Sequence, residues 1–338
     1  MAIDILLSLF LILANSWYII LITPLYRPII ENIWNYQIMK LTQDKLHNFT
    51  LKDGGVYSIS SLENAYAFCE SIALGHYENF PVGSLFIPKK QRKYVYAVYA
   101  FARIADDIAD ELSADTSTKL NLLEKYNELL ISNTATTNPI FIAIKDMNEI
   151  LEIPILPYEN LIRAFSMDSD FNQPDTYNDL LYYCNFSANP VGELILRIFN
   201  IYNRETAHYS NNICTALQLV NFWQDISLDL KKNRVYIPKS VLSEYDLEVE
   251  EIFALSKDSN KEQLLLELFG KTEQLFNDGK PIINNLKPYR LKLEIAATIN
   301  GGECILRKAK ALGVKLFNQR PKLSKFDIIK IMINAMIL

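Results

Sequence analysis

The stretch Gln218-Leu-Val-Asn221-Phe-Trp-Gln-Asp225-Ile-Ser-Leu-Asp229 decides the fold class. At roughly 100° per residue, Gln218, Asn221, Asp225 and Asp229 fall within about 80° of one another on a helix. The rest of the surface is apolar: Leu217, Leu219, Val220, Phe222, Trp223, Ile226 and Leu228. A helix that is apolar on most sides is buried. Its polar stripe then places carboxylates inside the protein, where they need partners.

A matching stripe lies upstream, in Tyr99-Ala-Phe-Ala-Arg103-Ile-Ala-Asp106-Asp107-Ile-Ala-Asp110-Glu111. The same arithmetic puts Tyr99, Arg103, Asp106 and Asp110 within about 60°. Two carboxylates one turn apart repel unless a cation sits between them. Alone, this run reads equally well as a solvated acidic helix end. Together, two helices with paired carboxylates can face each other across a bundle. Hard oxygen donors of this kind suit Mg²⁺, which keeps waters and bridges to substrate phosphates. The carboxylate pairs Asp106/Asp110 and Asp225/Asp229 are the groups such an ion would meet.

Outward from these motifs, apolar residues recur at helical spacing. The expected helices are Leu62–Leu74, Gln91–Glu111, Lys119–Ser132, Ile140–Leu151, Tyr158–Met167, Tyr177–Cys184, Val191–Phe199, Thr206–Leu230, Lys261–Asn277, Ile282–Leu286 and Leu291–Leu312. Prolines fall between these segments or at their starts, where helices accept them. No alternating run is long enough for a sheet, and no Gly/Ser linker divides the chain. The expectation is one all-α domain over 60–338, a bundle around a central pocket.

Composition agrees. Half of the 338 residues are hydrophobic, enough for a large core, and only 10 are glycine, which disfavours turn-rich sheets. The net charge of −5 comes with no basic run, so nucleic acid is not an expected partner. Cys69, Cys184, Cys214 and Cys304 are scattered and the chain has only three histidines, which excludes a zinc framework and points to a reducing, cytoplasmic compartment.

Residues 1–38 differ from the rest. No charge interrupts Ile5–Tyr26, a length that could span a bilayer. Asp4 stands where a secretory signal would carry a cation. Arg27 and Lys40 follow the segment, which would put its C-terminal side in the cytoplasm. The alternative is an extension upstream of a start at Met39.

The ordered motifs resemble those of squalene and phytoene synthases. Tyr99–Asp110 looks like the first Asp-rich motif. Gln218–Asp229 followed by Asn233-Arg234-Val235-Tyr236-Ile237-Pro238 looks like the second. Tyr183-Cys184-x-x-Ser187-Ala188-x-Pro190-Val191-Gly192 is similar to their mid-chain pocket segment. The likeness runs from about residue 62 to 322. Within that family, His76-Tyr-Glu-Asn-Phe80-Pro81-Val-Gly83-Ser84 and Gly301-Gly302-Glu303 are similar to the hydroxysqualene-forming branch of bacterial hopanoid pathways, and depart from the condensing branch.

The resemblance implies that presqualene diphosphate and water give hydroxysqualene and diphosphate, with Mg²⁺ and without NADPH. It implies that Asp106, Asp110, Asn221, Asp225 and Asp229 hold the Mg²⁺, and that Asp106, Asp110, Asp225, Asp229 and Tyr183 carry the chemistry. It implies that His76, Ser84, Tyr99, Arg103, Gln218, Asn221, Arg234 and Tyr236 bind substrate. Tyr183 and His76 are candidates to position the water, and Gly301-Gly302 to leave room for it. Phe222 and Trp223 read as core. Glu294 and Arg307 read as a salt-bridged pair. A greasy product makes association with the cytoplasmic face of a membrane plausible. Two rivals remain: head-to-head condensation to presqualene diphosphate, squalene or phytoene, and a non-catalytic assembly factor of the same fold. Buried acidic pairs on two helices have no use in the latter.

Overall fold

A computed structural model describes residues 43–75, 87–132, 134–252 and 259–337. Among these the chain is helical with no strand, as expected. The main helices are α1 Gln43–Leu51, α2 Leu62–Gly75, α3 Lys89–Asp106, α4 Thr116–Ile131, α5 Pro139–Leu151, α6 Leu156–Ser169, α7 Tyr177–Ser187, α8 Asn189–Ile198 and α9 Arg204–Asp229. Then follow α10 Lys239–Glu244, α11 Val249–Ile252, α12 Ser259–Gly279, α13 Ile282–Asn285, α14 Tyr289–Leu312 and α15 Lys325–Ile337.

Local chemistry sets the helix starts. Asn203 caps α9, its side chain accepting from the backbone N–H groups of Glu205 and Thr206 at 2.9 and 3.0 Å, and Thr206 returns the bond. Thr176 and Asp179 form the same reciprocal cap on α7. Asn138 caps α5, with Pro139 in its first turn.

Helix α9 is the axis of the bundle. It packs on α7, α8, α12 and α14, while α3 packs on α2, α5, α6 and α8. Helix α8 therefore lies against both motif-bearing helices. Its Gly192 sits so close to α9 that an added Cβ would lie 2.3 Å from Ser210 Oγ.

Three expectations need correction. The packed body begins before residue 60. Phe49 of α1 is fully buried, and Asp53 accepts from the Thr137 backbone N–H at 2.7 Å and from the Thr136 hydroxyl. Glu294 and Arg307 do not pair: Glu294 is buried and Arg307 exposed. Thirteen residues of helix separate them by about 20 Å. Burial pushes the Glu294 carboxyl well above its ordinary range. Nor does Gly302 leave a space. A Cβ there would meet Leu217 Cδ2 and Phe276 Cζ, each at 2.7 Å, so the glycine serves close packing of α14 on α9 and α12. The charge-free segment Ile5–Tyr26 lies outside the described residues. No helix among those described is long and apolar enough to cross a membrane.

Candidate active site

The first motif is not one straight α-helix. Helix α3 ends at Asp106, and Asp107–Glu111 form a π-helical turn. The Leu112 N–H reaches back five residues to the Asp107 carbonyl at 3.0 Å. Such wide turns are often functional. This one changes the angular spacing between Asp106 and Asp110 from the α-helical value. Asp106 is buried beside Arg103, which donates to it at 3.3 Å and also to Asp107. Burial pushes the Asp107 carboxyl up to about 6, against the opposing pull of Arg103.

The second motif lies in the last three turns of α9, and all four stripe residues are buried. Asn221 Nδ2 donates to Asp225 Oδ2 at 2.9 Å. Asp225 also accepts from Arg320, a residue beyond the end of α14. Asp229 differs: neither of its carboxylate oxygens has a hydrogen-bond partner, nor does Asn221 Oδ1 or either amide atom of Gln218. Burial first, and the charge of Asp225 second, push the Asp229 carboxyl up to about 7; the charge of Asp110 adds to the rise. The two motifs thus share one electrostatic neighbourhood.

Arg234 joins them. It leaves the turn after α9, donates to Asp110 at 3.0 Å and to the Asp168 carbonyl at 3.3 Å. Asp168 sits in the last turn of α6, where the helix dipole disfavours a carboxylate. Its two oxygens share the single Tyr183 hydroxyl proton, at 2.8 and 2.9 Å. Burial pushes the Asp168 carboxyl up to about 7. Tyr183 in turn lies against Phe222 and Tyr236, whose rings stack at 3.8 Å, while Phe171 meets Tyr236 edge-on at 5.0 Å. Asp168, Tyr183 and Tyr236 also line a cavity of about 550 Å³, together with Ser166, Asn172 and Gln173.

Asp110, Asp229, Arg234, Tyr183 and Tyr236 are thus brought together from the turn after α3, the end of α9, the segment after it and α7, with Arg103 and Asp106 at the end of α3 and Asn221 and Asp225 on α9 before Asp229. Tyr99 and Gln218 are buried on the same two helices. His76 and Ser84 lie outside the described residues. Trp223 is core, its indole N–H donating to Thr272 of α12 at 3.0 Å. Phe222 is core too, as expected, and its ring also stacks on Tyr236. Asp168 and Arg320 were not foreseen. An acid in the last turn of a helix was the available signal for Asp168. Arg320 gave none, because no periodicity governs a loop residue far along the chain.

Among the described residues, no three carboxylate, imidazole or thiol groups form a metal cage of their own. The donors fit a cation that completes its shell with water and phosphate oxygens. They are hard oxygens, and the buried, partnerless oxygens of Asp229 and Asn221 are what such a cation would satisfy.

A family model for squalene/phytoene synthases matches residues 74–327. The chain belongs to the squalene/phytoene synthase family. Similar members of the family include a hydroxysqualene synthase of Sinorhizobium fredii, 30% identical over 71% of this chain and 82% of that protein. A phytoene synthase of Mycobacterium tuberculosis is 30% identical over 54% of this chain and 61% of that protein. In structure, the family fold of this chain is similar to squalene synthase HpnC from Alicyclobacillus acidocaldarius, with a TM-score of 0.70 and 34% identity over 76% of this chain and 96% of that one.

Proposed function

We propose that this family member converts presqualene diphosphate and water to hydroxysqualene and diphosphate. One arrangement carries the reading: two carboxylate motifs joined through Arg234, beside an aromatic group. The substrate's C–O bond breaks and its electron pair leaves with diphosphate. A water oxygen then bonds to the rearranged cation, and a proton is released. Mg²⁺ held by Asp106, Asp110, Asn221, Asp225 and Asp229 would supply charge neutralisation for the departing diphosphate. Arg234 and Arg103 are placed to donate to diphosphate oxygens. The faces of Tyr236, Phe222 and Tyr183 offer their quadrupoles to the carbocation. Asp168 fixes the Tyr183 hydroxyl, which makes that phenol a candidate for orienting the water.

The hydroxysqualene branch is preferred over condensation because of the His76–Ser84 and Gly301–Glu303 segments. No nicotinamide is required.

The test supplies presqualene diphosphate and Mg²⁺ in ¹⁸O-labelled water. Labelled hydroxysqualene, formed without NADPH, is the expected product. Consumption of farnesyl diphosphate alone, with a cyclopropyl or C40 product, would move the protein to the condensing branch.

A further inference from the structure

Helix α15 buries Ile328, Ile331 and Ala335 and turns an apolar face outward. Phe326 is 75% exposed, Ile329 38%, Ile333 52%, Met336 64% and Ile337 78%. At helical spacing these five lie within an arc of about 100°. Lys325 and Lys330, both exposed, stand just outside its two edges. The helix has a single acidic residue, Asp327, turned away from this arc and held by Lys308 at 2.8 Å and by the Ser324 N–H at 2.7 Å. The exposed face therefore combines an apolar stripe with flanking cations and no anion.

We propose that α15 docks in the interface of an anionic lipid bilayer, with the stripe among the acyl chains and the lysines at the headgroup phosphates. An apolar stripe with basic edges has the chemistry of a helix lying in a membrane surface. A second copy of the chain is a poorer occupant. Pairing two such faces would bring lysine edges together with no acid to meet them. The position also has a use. The segment just before α15 covers the second motif: Arg320 holds Asp225, and the Pro321 carbonyl accepts from Gln224 Nε2 at 2.9 Å. Docking would set this end of the site against the phase in which a C30 diphosphate and its product partition. That benefit rests on the proposed function, whereas the docking itself does not.

The test reads depth, not turnover. The four native cysteines are buried, so Phe326→Cys in the full chain gives one accessible thiol for a polarity-sensitive fluorophore. Lys125→Cys on α4, 45% exposed at its side chain, gives the control. Vesicles of phosphatidylglycerol and phosphatidylcholine should shift the emission at 326 to the blue and leave 125 unchanged. The pair Lys325→Glu and Lys330→Glu should raise the lipid needed for half the shift by about tenfold or more. No shift at 326, the same shift at 125, the same titration in the charge-reversed variant, or a shift that grows with protein concentration without vesicles would each overturn the proposal, the last in favour of a second copy.

Discussion

The two carboxylate motifs look alike in sequence and differ in how they are held. On the first, acids meet arginines: Asp106 and Asp107 with Arg103, and Asp110 with Arg234. On the second, Asp225 has Asn221 and Arg320, but Asp229 is buried with neither oxygen satisfied. An unpaired buried carboxylate destabilises a fold, whereas breaking a buried pair leaves a charge stranded. The second motif thus carries the strain that a cation would relieve, and the first is already neutralised by protein groups. Chemically similar substitutions in the two motifs should have unlike effects on the fold.

The largest expected effect sharpens this contrast. Asp229→Asn should lower turnover by about a thousandfold, the scale of losing one stabiliser of developing charge. Without metal its Tm should hold or rise. Asp106→Asn should also cost turnover, yet lower the metal-free Tm, because Arg103 keeps only part of its acid shell. Equal Tm changes in the two variants, by calorimetry in a chelator, would erase the distinction.

The next effect is on pH. Asp229, Asp168 and Asp107 have carboxyls raised by burial to about 7, about 7 and about 6. A carboxyl raised above its unfolded value favours the folded state while protonated. That stability is complete below about pH 4 and is lost as pH rises through the folded values. Metal-free Tm should therefore contain a component that falls from about pH 4 to 7. Asp229→Asn should remove the part of this slope that its own carboxyl contributes. A slope unaltered by Asp229→Asn would show that this carboxyl is not the strained one.

The smallest effect concerns the chain outside both motifs. Removing residues 1–38 should leave kcat within about twofold, since every motif lies beyond residue 62. Removing residues 1–58 should unfold the protein, because it takes away Phe49 and Asp53. Each loss falls in the range of large-to-small core changes and broken buried bonds. Circular dichroism of the two truncations, with turnover of the first, checks both statements. Loss of activity on the shorter deletion would place part of residues 1–38 in the working enzyme.

The reading of sequence succeeded where periodicity is strong. Helix α9 was visible because its stripe is framed by apolar residues on three sides, and the order of motifs was visible with it. The π turn was not, since an extra residue in a turn leaves no mark on a pattern of acids and apolar residues. Helix α1 was overlooked because Gln43-Asp-Lys-Leu-His-Asn-Phe-Thr-Leu51 offers few apolar positions, and its place comes from two side chains, Leu46 and Phe49, entering a distant core. The short helices α10 and α11 fall below the length at which a period can be read. Arg320 and Asp168 reach the site through tertiary folding alone.

Gly192 and Gly302 lie on two neighbours of α9 and grip one stretch of it, Ser210 to Leu217. That grip makes the axial helix a fixed rail with its acids at the free end. Positions gripped this way have little mutational freedom: a methyl group on either glycine would come within 2.7 Å of side chains of the rail, so those side chains or the rail itself must shift. The displacement would travel along a stiff rod to Asp225 and Asp229. Alanine at a position remote from the acids would therefore act as a misalignment of the site. The inheritance of catalysis in such a bundle depends on a hydrogen atom at two packing contacts as well as on the carboxylates.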